Sequence, residues 1–209
     1  MPAADWALSS RGIILARLST INPPAGFAKR VAINVSLENA SSSPPPAWRL
    51  PEGVPRGVWE YANRSHIAGD YDEEFAANTL FDFDEKVLER AFPTPGVFVD
   101  LGCGTGRALL PFARRGFRAI GVDLSPPFLR IVGEKAACEQ LPVERVLANL
   151  MELGCFADAS VDYAACLFST LGMIRGRENR RRFLDHVFRI VRPGGTFVVH
   201  VHNRWHNLR

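Results

Sequence analysis

The stretch that decides the fold is Val97-Phe-Val-Asp-Leu-Gly-Cys-Gly-Thr-Gly-Arg107, where an apolar run leads directly into three alternating glycines. The apolar run predicts a strand, and the residues after the glycines have the spacing of a helix. Gly102, Gly104 and Gly106 carry no Cβ atom, so a ligand can approach the backbone of the turn closely. The helix that follows presents unpaired N–H groups to the same place. The stretch therefore predicts a ligand-binding turn between a strand and a helix.

The chemistry of this turn does not favour a phosphate group. Asp100 lies at the end of the predicted strand, and a carboxylate there disfavours an anion and favours a cationic or hydroxyl-bearing ligand. The dinucleotide-binding pattern G-x-G-x-x-G would need a glycine at position 107, where this chain has Arg107. The phosphate-binding pattern G-x-x-x-x-G-K-[ST] does not occur in the sequence.

A second acidic residue ends the next predicted strand. Asp123 follows an apolar run and lies 21 residues after Gly102. This is close to the spacing of about 20 at which an acidic residue meets a ribose hydroxyl in parallel nucleotide-binding sheets. Because ligands of such sheets bind at the carboxyl ends of the strands, we expect Asp100 and Asp123 to face one crevice.

Strands and helices alternate after residue 95, which predicts an α/β fold with a doubly wound, mostly parallel sheet and right-handed crossovers. The strands are predicted at 97–101, 118–123, 143–148, 162–168 and 196–202, with helices at 106–115, 126–138 and 178–191. The segment Arg192-Pro-Gly-Gly195 predicts a turn before the last strand.

Three segments resemble the class I S-adenosylmethionine-dependent methyltransferases, which have a Rossmann-like fold. They are Val-Asp-Leu-Gly-Cys-Gly-Thr-Gly at 99–106, Gly-Val-Asp-Leu-Ser at 121–125 and Val-Arg-Pro-Gly-Gly-Thr-Phe-Val-Val at 191–199. The resemblance covers about residues 96–203 and implies S-adenosyl-L-methionine as the cofactor. It places Asp100 and the glycines at the methionine end, Asp123 at the ribose and Asn149 at the adenine, although a helix-cap or turn role for Asn149 stays open. The implied cofactor residues are Asp100, Gly102, Cys103, Gly104, Gly106, Asp123, Leu124, Asn149, Leu150 and Leu167.

The chain differs from the family pattern after its fifth predicted strand. The family sheet has seven strands, the last two forming an antiparallel pair, whereas this sequence stops at Arg209. We therefore expect a sheet that is truncated after the fifth strand and leaves that strand as an exposed edge. The methyltransferase domain is predicted at 96–209 and incomplete at its C-terminus.

The residues before this domain divide into two parts. Residues 1–47 contain Ser41-Ser-Ser-Pro-Pro-Pro46 and predict a disordered tail or a mis-started segment, with a transit peptide as an alternative. Residues 48–95 predict an N-terminal helical cap, because apolar side chains recur there at helical spacing. Tyr61, His66 and Tyr71 are candidate lid or substrate residues, and ordinary packing or surface positions are the alternative.

Catalytic groups are harder to predict than the cofactor site. His66, His200 and His202 are candidate general bases for an acceptor that arrives protonated. Cys103 and Cys166 are expected to pack rather than react, since the Pro-Cys nucleophile of cytosine-C5 enzymes is absent. No cysteine or histidine spacing indicates a metal site.

Composition and charge limit the acceptor. The 209-residue chain has 47% hydrophobic residues and no apolar run of the ~20 residues needed to span a membrane, so a cytoplasmic protein is expected. Residues 51–100 carry four basic and eleven acidic side chains, which does not suit a nucleic-acid backbone. We therefore expect methyl transfer to a small molecule. The alternatives are an RNA or protein methyltransferase that uses the basic run Arg175–Arg182, and a catalytically silent cofactor-binding module.

Overall fold

The computed structural model describes residues 4–8, 13–18 and 50–201. These form a seven-stranded sheet in the order β1-β2-β7-β6-β3-β4-β5. The strands from β3 to β7 are mutually parallel. The predicted doubly wound, mostly parallel sheet is therefore confirmed.

The bounds of the elements follow the predicted alternation closely. The strands are β1 (Ala4–Leu8), β2 (Ile13–Leu18), β3 (Val97–Leu101), β4 (Arg118–Asp123), β5 (Val143–Leu147), β6 (Val161–Cys166) and β7 (Val191–His200). The helices are α1 (Arg56–Ala62), α2 (Ser65–Glu74), α3 (Thr79–Ala91), α4 (Leu109–Arg114), α5 (Pro126–Cys138), α6 (Thr170–Met173) and α7 (Arg177–Ile190).

The outer side of β7 is paired, so the prediction of an exposed edge at the fifth parallel strand is wrong. β2 runs antiparallel to β7, with Ile13 opposite His200 and Arg17 opposite Thr196. β1 then pairs with β2, also antiparallel. The antiparallel pair that the family forms at its C-terminal end is here formed by residues near the N-terminus.

This hairpin also corrects part of the prediction for residues 1–47. Ala4–Leu8 and Ile13–Leu18 are strands, so these residues are not a disordered tail. The stretch Ser41-Ser-Ser-Pro-Pro-Pro46 has a linker composition, and this composition alone decided the prediction for the whole of residues 1–47. The two strands within the segment were therefore not predicted. The other residues of 1–47 lie outside the described residues.

The start of β7 combines a strand with the predicted turn. The strand begins at Val191, opposite Val161, but its register against β6 shifts before Thr196 pairs with Tyr163. The extra residues lie in the Pro-Gly-Gly segment, where Gly194 has a φ of +79°. The predicted turn is thus an irregularity within a strand, as a bulge allows.

Helices cover both faces of the sheet, as the alternating side chains of the strands require. On one face, Val99 and Leu101 of β3 pack with Phe183 and Val187 of α7. On the other face, Phe98 packs among α3, α4 and α5. The two layers leave the carboxyl ends of β3 and β4 open to the cap helices α1–α3. None of the helices in the described part of the chain is long and apolar enough to span a membrane.

Candidate active site

The glycine turn after β3 is fixed to the end of β4. The backbone N–H groups of Gly102 and Cys103 both donate to the carbonyl of Val122, at 2.8 and 3.0 Å. Gly102 has a φ of +84°, and a Cβ atom there would lie 2.5 Å from the side chain of Thr170. Gly104 has a φ of +53°, and a Cβ atom there would meet nothing within 4 Å. The turn is therefore packed on the Thr170 side and open at Gly104.

Asp100 and Asp123 lie on the same side of this turn, as expected. Asp100 is 3% exposed, at the end of β3. Asp123 ends β4, and its two carboxylate oxygens accept from the N–H groups of Gly104 and Ser125, both at 2.8 Å. Both carboxylates line one cavity of about 300 Å³. The crevice predicted from the two strand ends is present.

Burial changes the acidity of both carboxyl groups. It raises the pKa of Asp100 to about 7, since Arg107 only partly offsets the desolvation and Asp123 and Asp84 add to the rise. Burial also raises the pKa of Asp123, against the lowering effect of backbone N–H donors, Gly104 first. Two buried carboxyl groups that are hard to ionise by themselves form a site that favours a cation.

Most of the residues that the resemblance implied line this cavity. They are Asp100, Gly102, Cys103, Gly104, Asp123, Leu124, Asn149, Leu150 and Leu167. Gly106 is not among the lining residues. Its φ is +86°, and a Cβ atom there would lie 3.2 Å from Val132 of α5. Gly106 therefore allows the turn to pack on the core and does not face a ligand.

Asn149 has the turn role that the sequence left open, and it also lines the cavity. Its side-chain amide donates to the carbonyl of Glu52 at 2.9 Å and accepts from the N–H of Met151 at 3.2 Å. The same residue lines the cavity beside Leu150. Asn149 thus stabilises its own turn and fastens residue 52 over one end of the cavity.

The cap supplies part of the cavity wall. Tyr61 and Tyr71 both line it and contact the ring of Phe128, with centroid separations of 5.8 and 5.3 Å. Burial raises the pKa of Tyr61 to about 12 and also raises the pKa of Tyr71. Both phenols therefore remain protonated at neutral pH. His66 is exposed on α2 and does not line the cavity.

Polar contacts fasten the cap to the edge of the sheet. The hydroxyl of Ser125 donates to the carbonyl of Ala62, at the end of α1. The hydroxyl of Thr105, in the glycine turn, donates to Asp72 of α2 at 2.7 Å. Lys135 of α5 pairs with the same carboxylate and donates to the carbonyl of Thr105 at 3.1 Å. The cap is thus held to the glycine turn and to α5.

One end of the cavity is aromatic. Phe168 and Phe75 line it, and Phe81 packs behind them with centroid separations of 5.0 and 6.0 Å respectively. Phe168 and Ser169 both have positive φ values, +47° and +66°. Such a backbone is strained for residues with side chains and recurs at functional sites. The strained loop after β6 presents Phe168 to the cavity.

Arg107 contacts both the aromatic cluster and a buried carboxylate. Its guanidinium lies 3.8 Å from the centre of the Phe81 ring and donates to Asp84 at 3.0 Å. Asp84 of α3 is fully buried. Nδ1 of His200 lies 2.9 Å from the second carboxylate oxygen of Asp84, although the two atoms are not aligned for a hydrogen bond.

Two of the three candidate general bases, His66 and His200, do not line the cavity. His200 is 5% exposed, contacts Asp84 and does not line the cavity. His202 lies outside the described residues. Burial raises the pKa of Cys103 and Cys166, which favours the thiol form and a packing role. Within 50–201 and the two N-terminal strands, no group of three or more His, Cys, Asp or Glu could hold a metal ion.

Sequence reasoning missed Arg107, Asp84 and Phe168 as parts of the site. Asp84 carried a signal, because it lies three residues after Phe81 and four before Leu88, on the apolar side of its helix. An acidic residue at such a position needs a buried partner. The partner is 23 residues away in sequence, and only the folded structure identifies it.

Comparison with known proteins agrees with this geometry. Residues 99–199 match the model of a family described as a methyltransferase domain. The matched segment contains the glycine turn, both carboxylates and the last parallel strand. This match and the geometry of the site support a place for the chain among the class I S-adenosylmethionine-dependent methyltransferases.

Curated relatives match part of the chain at modest identity. YqeM of Bacillus subtilis, named as a candidate methyltransferase, is 28% identical over 137 residues, which are 66% of this chain and 54% of that protein. The thiol S-methyltransferase TMT1A of Homo sapiens is 33% identical over 135 residues, which are 63% of this chain and 53% of that protein. The chain thus spans about half the length of these relatives.

A solved structure shows the same fold. The crystal structure of the PH0226 protein from Pyrococcus horikoshii OT3 superposes with a TM-score of 0.59 at 22% sequence identity. The superposition covers 71% of this chain and 64% of that one.

Proposed function

We propose that this chain binds S-adenosylmethionine in the cavity and transfers its methyl group to a small-molecule acceptor. The observation that carries the proposal is the pair of buried carboxylates, Asp100 and Asp123, beside a glycine turn that is open at Gly104. The family cofactor carries a sulfonium, an ammonium and ribose hydroxyls, and these groups match carboxylate acceptors. When bound, it supplies a methyl group that is already activated for transfer.

The residues of this chain then have distinct roles in the proposal. Asp100 and the turn at Gly102–Gly104 hold the amino-acid end. Asp123 accepts hydrogen bonds from the ribose hydroxyls, and Asn149 and Leu150 border the base. The protein contributes mainly position and the exclusion of water, because a bound acceptor needs only to be aligned with the methyl group.

A small acceptor is favoured by the enclosure of the cavity. Helices α1–α3, within the proposed cap at 48–95, close over the methyltransferase domain that we propose from residue 96 onward. Tyr71, Phe75 and Phe168 form an apolar wall that suits a compact ligand better than a polymer. The basic run of the RNA or protein alternative is partly engaged within the fold, since Arg182 pairs with Glu52 and Arg180 donates to the carbonyl of Ile174.

Binding is tested first, by calorimetry with S-adenosylmethionine and with S-adenosylhomocysteine. We expect the Asp123→Ala variant to weaken both by about 10- to 100-fold, since a hydrogen bond to a charged group contributes about 1.5–3 kcal/mol. Asp123→Asn keeps the shape of the side chain and serves where the alanine variant is unstable. Asp185→Ala on the exposed side of α7 is the matched control and is expected to bind like the wild type. Wild-type protein that binds neither compound contradicts the proposal.

Turnover is tested separately, by screening acceptors with a labelled methyl donor. Label transferred to small compounds supports the proposal. Label transferred to RNA, with binding that weakens steeply with salt, supports the nucleic-acid alternative instead. Tight cofactor binding without turnover on any acceptor class supports a silent binding module.

A further inference from the structure

We infer that Arg107 binds a negatively charged group of the methyl acceptor, and that the acceptor is therefore a small anion with a flat apolar body. The inference rests on the proposed function, because it names the acceptor class for the same cavity. It concerns the part of the cavity wall where Phe75 contacts both Tyr71 and Phe168.

The polar groups of the cavity divide by charge. Asp100 and Asp123 are the acidic side chains that line it, and the proposed cofactor takes both. Arg107 is the one Lys or Arg side chain among the described residues that line the cavity. Once the carboxylates are assigned to the cofactor, Arg107 is the charged group left to recognise the acceptor.

The guanidinium of Arg107 is both fixed and available. Asp84, which is fully buried, holds it through one bond of 3.0 Å, and the Phe81 ring supports its face at 3.8 Å. Of its five N–H donors, the bond to Asp84 is the one made to a described residue. The side chain of Arg107 is 22% exposed and lines the cavity, so it is in contact with the space in which an acceptor would lie. A planar donor group held in this way suits a carboxylate.

The surroundings of Arg107 define the rest of the acceptor. Phe75, Phe81 and Phe168 contact one another edge to face or tilted, at 5.0 to 6.0 Å between ring centres. Such a wall favours a flat apolar or aromatic body. An anion held by Arg107 beside this wall would combine one ionic contact with apolar burial.

The lack of a histidine among the described lining residues agrees with an anionic acceptor, once Asp100 and Asp123 are assigned to the cofactor. No histidine is among the described residues that line it, and raised pKa values keep Tyr61 and Tyr71 protonated. A nucleophile that must first lose a proton would therefore find no neutral imidazole beside it. A carboxylate arrives already ionised at neutral pH.

The test compares two probes that differ in charge but not in shape. Binding of phenylacetate and of phenylacetamide is measured by calorimetry on protein saturated with S-adenosylhomocysteine. We expect phenylacetate to bind about 10-fold or more tightly than the amide, because bonds from a charged donor to a carboxylate exceed those to a neutral amide by about 1.4 kcal/mol or more.

The same measurement on Arg107→Met, made at pH 8.5 so that Asp100 stays mostly ionised without Arg107, should remove this preference and leave the affinity for S-adenosylhomocysteine within about threefold of the wild type. Because the single change leaves Asp84 buried and unpaired, the double variant Arg107→Met with Asp84→Asn gives the same comparison if the single variant does not fold. Arg115→Met is the matched control, since Arg115 also lies over a phenylalanine ring, 4.7 Å from the centre of Phe112, but outside the cavity.

The outcomes separate this inference from the proposed function. Equal binding of the two probes to the wild type overturns the inference, and so does a preference that survives in the Arg107 variants. A large loss of S-adenosylhomocysteine affinity in those variants assigns Arg107 to the cofactor and also overturns it. Failure of the wild type to bind S-adenosylhomocysteine at all overturns the proposed function itself.

Discussion

At the scale of single residues, the buried carboxyl of Asp100 is the group most sensitive to its surroundings. It lies at 3% exposure, and its pKa is raised to about 7 mainly by burial. Near neutral pH, before a ligand binds, Asp100 is therefore a mixture of the charged and the neutral carboxyl. A cationic ligand stabilises the charged form, so binding and ionisation are linked.

This linkage predicts that affinity for S-adenosylmethionine rises with pH. Below pH 7 the carboxyl of Asp100 is mostly protonated, and binding a cation must release that proton, which weakens binding by up to about tenfold per pH unit. Above pH 7 the effect levels off. Calorimetry at pH 6 and pH 8, in buffers of different ionisation enthalpy, measures both the affinity and the protons released.

The Asp100→Asn variant is the control for this prediction. It should bind more weakly than the wild type at pH 8 and lose most of the pH dependence. An affinity for S-adenosylmethionine that is flat or falling from pH 6 to pH 8 in the wild type would contradict the role given to Asp100.

The positions of the two carboxylates could be predicted from residue patterns, because each position depends only on residues that are close to it in the chain. A strand that ends in an acid before a glycine turn places that acid at the carboxyl edge of the sheet. The Arg107–Asp84 pair could not be predicted in this way, because it joins a turn to a separate helix. His200 was misjudged for a related reason, since alternation gives the face of a strand but not what covers that face.

At the scale of elements, α5 connects the sheet to the cap helices α1 and α2. Ser125 is its N-cap and accepts from the N–H of Phe128 at 3.2 Å, while its own hydroxyl donates to the carbonyl of Ala62 in the cap. Pro126 and Pro127 begin the helix, where proline is tolerated. The Ser125 hydroxyl therefore accepts from a backbone N–H in the first turn of α5 and also holds the end of α1 to this helix.

We expect Ser125→Ala to lower the free energy of unfolding by about 1–2 kcal/mol, since a cap is lost and the Ala62 carbonyl loses its donor. The thermal midpoint should fall by roughly 2–8 °C for a chain of this size. Ser160→Ala is the matched control, because its hydroxyl donates to the Ala157 carbonyl at an exposed site. Equal midpoints for the two variants would rule out this role of Ser125.

Helix α5 was predicted with its observed bounds because its Ser-Pro-Pro start is a strong local signal. The bounds of α4 were less well predicted. The helix begins at Leu109 and not at residue 106, since Gly106 at positive φ still belongs to the turn. Helix ends could thus be predicted from the sequence where capping residues mark them, as at the start of α5.

At the scale of the whole molecule, β7 is not an edge strand, because two strands from the other end of the chain extend the sheet beyond it. β2 pairs with β7 and β1 alike, so it is an internal strand. Sequence patterns could not predict this pairing, because period and composition indicate strands but not their distant partners. Family resemblance misled here, since it places the corresponding pair after the fifth parallel strand.

We expect a proline in β2 to destabilise the protein more than a proline in β1. Ala16→Pro removes a donor from a strand paired on both sides, whereas Ala7→Pro changes a strand paired on one side. An unpaired buried carbonyl costs about 1–3 kcal/mol, or roughly 2–12 °C in the thermal midpoint. Thermal unfolding followed by circular dichroism measures both variants. An Ala16→Pro midpoint equal to the wild type would contradict the pairing of β2 with β7.

The junction of β2 with β7 also has a consequence for the order of assembly during synthesis. Ile13 leaves the ribosome early, but its partner His200 is among the last described residues to be made. β1 and β2 can pair with each other early, but the side of β2 that faces β7 must stay unpaired until residues 196–200 have emerged. Contacts of such long sequence separation slow folding, so the hairpin would join an already formed core as a late step of maturation.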